Sequence, residues 1–147
     1  MRRAATPRGR LLGACLAAAV VVPPLTGAAA APGDQQYVTI VSHDPSGFLR
    51  ALRAGADFVK GGRGRTFRII LAGAGVIIAI PGTSTVQRDY MKTRVAGVQV
   101  FACKESIDAL AKANRRPIPT LPGISVQKCE SLRNKMDVAG WQVAPGI

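Results

Sequence analysis

Cys103 and Cys129 are the residues whose type points most directly to chemistry. A thiolate is the nucleophilic form of cysteine, and it forms where the pKa of the thiol is lowered. The chain of 147 residues holds three cysteines and one histidine. That inventory excludes a Cys₂His₂ zinc cluster and a dense disulfide scaffold. No G-x-S-x-G elbow is present. One histidine with eight acidic residues offers no recognisable metal-ligand spacing, so no metal site and no cofactor are expected.

Cys103 closes the β-rich run Val98-Gln99-Val100-Phe101-Ala102 and precedes a helix expected from Ser106 to Asn114. Free N–H groups and the dipole at a helix start favour a thiolate. Lys104 adds to this and Glu105 opposes it. The alternative is a buried structural cysteine, which is common. Cys129 follows another short strand. If the two cysteines end neighbouring parallel strands, a disulfide across 26 residues would contribute roughly 3–4 kcal/mol in the chain-entropy picture. Inert free thiols and a redox or sulfur-transfer pair stand beside that reading.

His43 follows the first expected strand. It serves as a base for Cys103 only if their strands are adjacent; an exposed turn histidine beside the N-cap Asp44 is preferred. Gly73-Ala74-Gly75 lacks a third glycine at the dinucleotide spacing, so the glycines are assigned to a tight turn. Basic residues cluster at Arg63, Arg65 and Arg68, and again at Lys112, Arg115 and Arg116. A nucleic-acid surface would interleave aromatics with them, and the seven aromatics look committed to the core. No nucleic-acid partner is expected. A solvated basic surface is preferred, with attraction to an anionic membrane surface or an acidic partner next.

The elements that must position these residues begin after a different kind of segment. Arg2, Arg3, Arg8 and Arg10 precede a run from Leu11 to Gly33 with no charge, ending in Gly27-Ala28-Ala29-Ala30-Ala31-Pro32. This is the plan of a secretory signal, with cleavage expected after Ala30. A retained anchor is the alternative, disfavoured by Pro23 and Pro24. Leu12-Gly13-Ala14-Cys15 resembles a lipobox but leaves almost no apolar stretch before it. Residues 1–30 are therefore read as a signal peptide, 31–36 as a flexible lead-in and 37–147 as one domain. Removing the signal lowers the formal charge from +12 to +8 and leaves two cysteines, no membrane span and an exported, periplasmic location where disulfides persist.

Strands are expected at Tyr37–Ser42, Thr66–Ala72, Val98–Ala102, Ile124–Gln127 and Trp141–Val143. Helices are expected over about 45–60, Thr85–Ala96, Ser106–Asn114 and Glu130–Ala139. Asp44 and Pro45 mark a helix start, Gly97 and Gly140 mark helix ends, and Val76–Ile80 fits either a strand or a short buried helix. Alternation of this kind implies a mostly parallel open sheet covered on both faces. Ligands in such sheets sit beyond the C-terminal strand ends, where His43, Gly73, Cys103 and Cys129 fall.

These segments resemble the DsrE/DsrF-like family, and most closely its exported branch. The resemblance spans roughly residues 37–145. It rests on Ile69-Ile70-Leu71-Ala72-Gly73-Ala74-Gly75-Val76, on Gly97-Val98-Gln99-Val100-Phe101-Ala102-Cys103, on Leu121-Pro122-Gly123-Ile124, and on Leu132 through Gly140-Trp141. It implies a three-layer α/β/α sandwich with a five-stranded, mainly parallel sheet. It also implies homo-oligomers, trimers or hexamers, and a sulfur relay with a donor or acceptor protein in which Cys103 carries a persulfide. On that reading Cys129 is a resolving or disulfide partner, and the protein is a carrier rather than an enzyme with turnover of its own. A non-catalytic oligomeric binding or accessory module with a structural cysteine is the alternative. Export and Cys129 both depart from the family pattern.

Overall fold

A computed structural model describes residues 33–147; the expected signal segment and the first two residues of the lead-in lie outside them. Five strands form one parallel sheet. They are β1 (Gln35–Ile40), β2 (Thr66–Leu71), β3 (Val98–Cys103), β4 (Ile124–Gln127) and β5 (Gln142–Val143), in the order β4-β3-β2-β1-β5. Helices α1 (Pro45–Lys60), α2 (Val86–Lys92), α3 (Lys104–Asn114) and α4 (Cys129–Val138) connect them, with a 3₁₀ segment at Gly73–Ala79. The expected α/β sandwich is the observed one, and every strand pair is parallel.

Topology explains the layers. The chain steps from β1 to β4 in one direction, then returns across the sheet to β5. Right-handed crossovers place connections made in opposite directions on opposite faces. Accordingly Phe48 and Leu52 of α1, Val86 and Tyr90 of α2 and Ile107 of α3 pack on one face with Val38, Ile69, Leu71 and Val100. Leu132 and Met136 of α4 pack on the other with Ile70, Phe101 and Cys103. β2 is buried on both sides: Ile69, Ile70 and Leu71 are fully covered, as its apolar run predicts. Each such side chain contributes about 1.5–3 kcal/mol by burial.

Local signals account for most boundaries. Asp44 caps α1 by accepting the Ser46 N–H at 3.0 Å, and Pro45 occupies the first helical position. Gly140, at φ +74°, follows the C-cap Ala139 of α4, and Trp141 N–H donates to Met136 O.

Three expectations are corrected, and one open alternative is resolved as a short buried helix. β1 begins at Gln35 and ends at Ile40, because Gln35 and Gln36 pair through their backbones with Thr66 and Phe67, while Val41 and Ser42 leave the ladder for the turn into α1. The ambiguous segment is 3₁₀ over Gly73–Ala79, burying Val76, Ile78 and Ala79. Gly75 makes it possible: a Cβ there would collide with the carbonyl oxygen of Ile40. α2 stops at Lys92 rather than Ala96, where Thr93 Oγ1 donates to Asp89 O at 2.7 Å. Gly97 therefore caps no helix. It takes φ +95° on entry to β3, packed against Val59 and Arg65 O, a place with no room for a side chain. Finally, α3 and α4 begin at Lys104 and Cys129, so each strand runs into its helix with almost no loop between.

Candidate functional site

α3 follows β3 on one face and α4 follows the neighbouring β4 on the other. Adjacent strands whose helices diverge in this way open a crevice at their C-terminal ends, the usual ligand position in open α/β sheets. Both cysteines lie there. Cys103 is the last residue of β3 and the N-cap of α3, and Cys129 is the first residue of α4. β4 pairs Gln127 with Cys103, and two further residues bring Cys129 alongside. The structure joins the sulfurs in a disulfide with a Cα–Cα distance of 5.1 Å. Cys103 is buried, 2% exposed, and Cys129 is half-buried.

Glu105 ties the two helix starts together. Its Oε2 accepts the backbone N–H of Cys129 at 3.1 Å. Hydrogen bonds from its own N–H and from that of Cys129 hold its carboxyl below the usual range, with Lys128 assisting. One residue on, Ser106 Oγ accepts the Gly73 N–H at 2.9 Å, which anchors the 3₁₀ segment to α3. A cavity of about 280 Å³ is lined by Ala72, Cys103, Glu105, Ser106, Cys129 and Arg133, with Glu130 at its side. The disulfide thus borders a small recess that also holds the charged side chains of Glu105, Glu130 and Arg133.

Two helix N-termini converge on the pair, and each favours negative charge on a sulfur released by reduction. Lys104 does not serve that purpose: its Nζ is ion-paired with Asp108 at 2.6 Å along α3. Arg133 is the basic residue of the recess. It stands four positions after Cys129, hence on the same helical face, a spacing that the sequence displays. Glu105 was seen in the sequence only as an opposing charge. Its capping role across two helices depends on the β3–β4 pairing and has no local signal. Donor atoms of Cys103, Glu105 and Cys129 lie within 4.8 Å of one another. Their numbering, with one residue and then 23 between them, matches no familiar metal-ligand spacing.

His43 stands apart. It is exposed, and β2 lies between β1 and β3, so the adjacency that a base for Cys103 requires is not met. Gly73 reaches the neighbourhood through Ser106, as the first residue of the 3₁₀ segment at φ +52° rather than part of a simple turn.

The first basic cluster is dispersed by the fold. Arg65 pairs with Asp34 at 3.3 Å and lies over the Phe58 ring at 5.0 Å. Arg68 lies 4.0 Å from the Trp141 ring centroid and 5.4 Å from that of Phe101, and its Nε donates to Gln99 Oε1 at 3.1 Å. Burial there lowers the Arg68 pKa below its ordinary value.

No family model and no curated protein matches the chain. Among solved structures, the protein of unknown function MTH1491 from Methanobacterium thermoautotrophicum is similar, with a TM-score of 0.61 at 16% identity over 74% of this chain and 96% of that one. The likeness extends to the fold.

Proposed function

We propose that this is an exported, DsrE-like thiol or sulfur carrier whose chemistry runs through Cys103, with Cys129 as its resolving partner. The observation that carries the proposal is the placement of both sulfurs at the diverging ends of β3 and β4, at two helix starts, beside a small recess.

The steps balance. A dithiol reductant opens the disulfide, taking up its oxidation and leaving two protein thiols. The Cys103 thiolate attacks the outer sulfur of a donor persulfide, R–S–SH; the protein persulfide forms and the donor leaves as R–S⁻. Transfer to an acceptor thiolate returns Cys103. In the absence of an acceptor, the Cys129 thiolate attacks the inner sulfur of the Cys103 persulfide. The disulfide re-forms and HS⁻ leaves. The same proposal takes the chain to be a periplasmic homo-oligomer, trimeric or hexameric, after loss of residues 1–30. Among the described residues no helix is long and apolar enough to cross a membrane.

A second reading has its own observation. Cys103 is buried within the α4-side core, as a purely structural staple in an accessory or binding module would be. Intact mass of the exported protein separates the two. After incubation of Cys129→Ser, which lacks the resolving thiol, with a persulfide donor, a species about 32 Da heavier, absent from Cys103→Ser, is expected of the carrier. A disulfide that resists reduction under native conditions, with no mass gain, would leave the staple.

A further inference from the structure

The same three side chains carry a second possibility. It goes beyond sulfur transfer and shares with it only the need for the pair to be reducible.

We infer that the reduced protein holds a zinc-class divalent cation between Cys103 Sγ, Cys129 Sγ and a Glu105 carboxylate oxygen. All three donor atoms lie within 4.8 Å of one another, which is within reach of a common ion. Two thiolates select a soft or borderline metal, and the carboxylate oxygen favours zinc(II) over copper(I). Three protein ligands leave a fourth tetrahedral position. The three ligands line the same recess as Ser106, Glu130 and Arg133, which offers room for a fourth ligand. The ligands stand on rigid elements: Cys103 ends a central strand, Glu105 lies in the first turn of α3, and Cys129 opens α4.

The site is gated by oxidation state. In the disulfide the two sulfurs are bonded to each other. A dithiol or phosphine reductant supplies two electrons and is itself oxidised, leaving two thiols. Binding of the dication then displaces both thiol protons to solvent. A small-molecule disulfide reverses the process: it takes two electrons from the bound thiolates and leaves as two thiolates, while the protein disulfide re-forms and the cation is released. The crevice therefore has two exclusive states, cross-linked and metal-free or reduced and metal-bound.

The test is a cobalt(II) titration of the full chain under anaerobic conditions, with phosphine-reduced and oxidised samples side by side. The reduced protein is expected to take one equivalent, with thiolate-to-cobalt charge-transfer absorption that zinc(II) abolishes by displacement. The oxidised protein is expected to show none. Glu105→Gln keeps both thiols and is expected to weaken binding at least about tenfold, since loss of outer-shell partners alone costs about 10–100-fold. Cys129→Ser is expected to remove the charge-transfer band of the two-thiolate site. Far-ultraviolet circular dichroism on each sample reports folding. Three results would overturn the inference: no cobalt signal in reduced wild type, equal binding in both oxidation states, or unchanged affinity in Glu105→Gln. Sulfur uptake without cobalt binding would sink this site and leave the carrier proposal standing; cobalt binding without sulfur uptake would do the reverse.

Discussion

Glu105, the second residue of α3, accepts the backbone N–H of Cys129, the first residue of α4, at 3.1 Å. One helix thereby caps the next. The bond spans the crevice between β3 and β4 and holds the two cysteine-bearing helix starts in register. The bond takes one of the first-turn N–H groups of α4 that have no partner within their own helix.

Glu105→Ala is expected to lower the unfolding midpoint and to speed hydrogen exchange at the Cys129 amide. Glu105→Gln keeps an acceptor oxygen and is expected to retain most of the protection. Equal exchange in all three proteins would show that the cap does not hold α4.

Reduction of the disulfide is expected to cost about 3–4 kcal/mol of stability, from the chain entropy of a 26-residue loop. Denaturant titrations with and without reductant measure it. Cys129→Ser should reproduce the loss and become insensitive to reductant. A midpoint that reductant leaves in place would show that the cross-link contributes nothing to the fold.

Two glycines should respond in opposite directions. Gly75→Ala drives a methyl group into the Ile40 carbonyl, and overpacking of this kind costs about 1–3 kcal/mol. Gly47 lies in the first turn of α1 with open space around its Cβ position. Gly47→Ala is therefore expected to stabilise by about 0.5–1 kcal/mol through helix propensity. Thermal unfolding of both variants checks the pair.

Arg68 bridges β2 to the loop after α4 by stacking on Trp141, the one tryptophan of the chain. Arg68→Lys keeps the charge and loses the planar guanidinium stack. A destabilisation of about 0.5–2 kcal/mol is expected, with a shift in Trp141 emission. An unchanged spectrum would show that the stack is absent in solution.

The Asp44 cap makes the start of α1 sensitive to acid. Hydrogen bonds from the Ser46 side chain and then its backbone lower the Asp44 pKa from 3.8, with Arg50 and His43 helping. A depressed folded pKa means that the stabilisation is fully present above the unfolded value and is lost as pH falls through the folded one. Amide exchange in the first turn of α1 should therefore rise only below about pH 3.8. Asp44→Asn still caps but does not titrate as a carboxylate, so its first turn should lose that pH dependence. The same acid response in Asp44→Asn would assign the effect to another group.

Local chemistry was enough to read most elements from the sequence alone. Asp44 and Pro45 start α1, the apolar run of β2 declares burial on both faces, and Gly140 ends α4, because each signal acts within a turn or two of itself. Cys103 was recognisable for the same reason, at the end of a β-rich run entering a helix. The signals failed where neighbours from afar decide. Gly97 looks like a helix cap and instead fits a strand entry against Val59. Val76–Ile80 has no period of its own, and all of it but Ile80 joins the 3₁₀ segment because Gly75 closes on Ile40. Strand order carries no local mark either. It is set by which faces bury and by the handedness of the crossovers, and only that order separates His43 from Cys103 by β2. It also turns α3 and α4 to opposite faces of the sheet. Residues 103, 105 and 129 thereby meet in one crevice, an encounter that requires the β3–β4 register and so exists only in the folded chain.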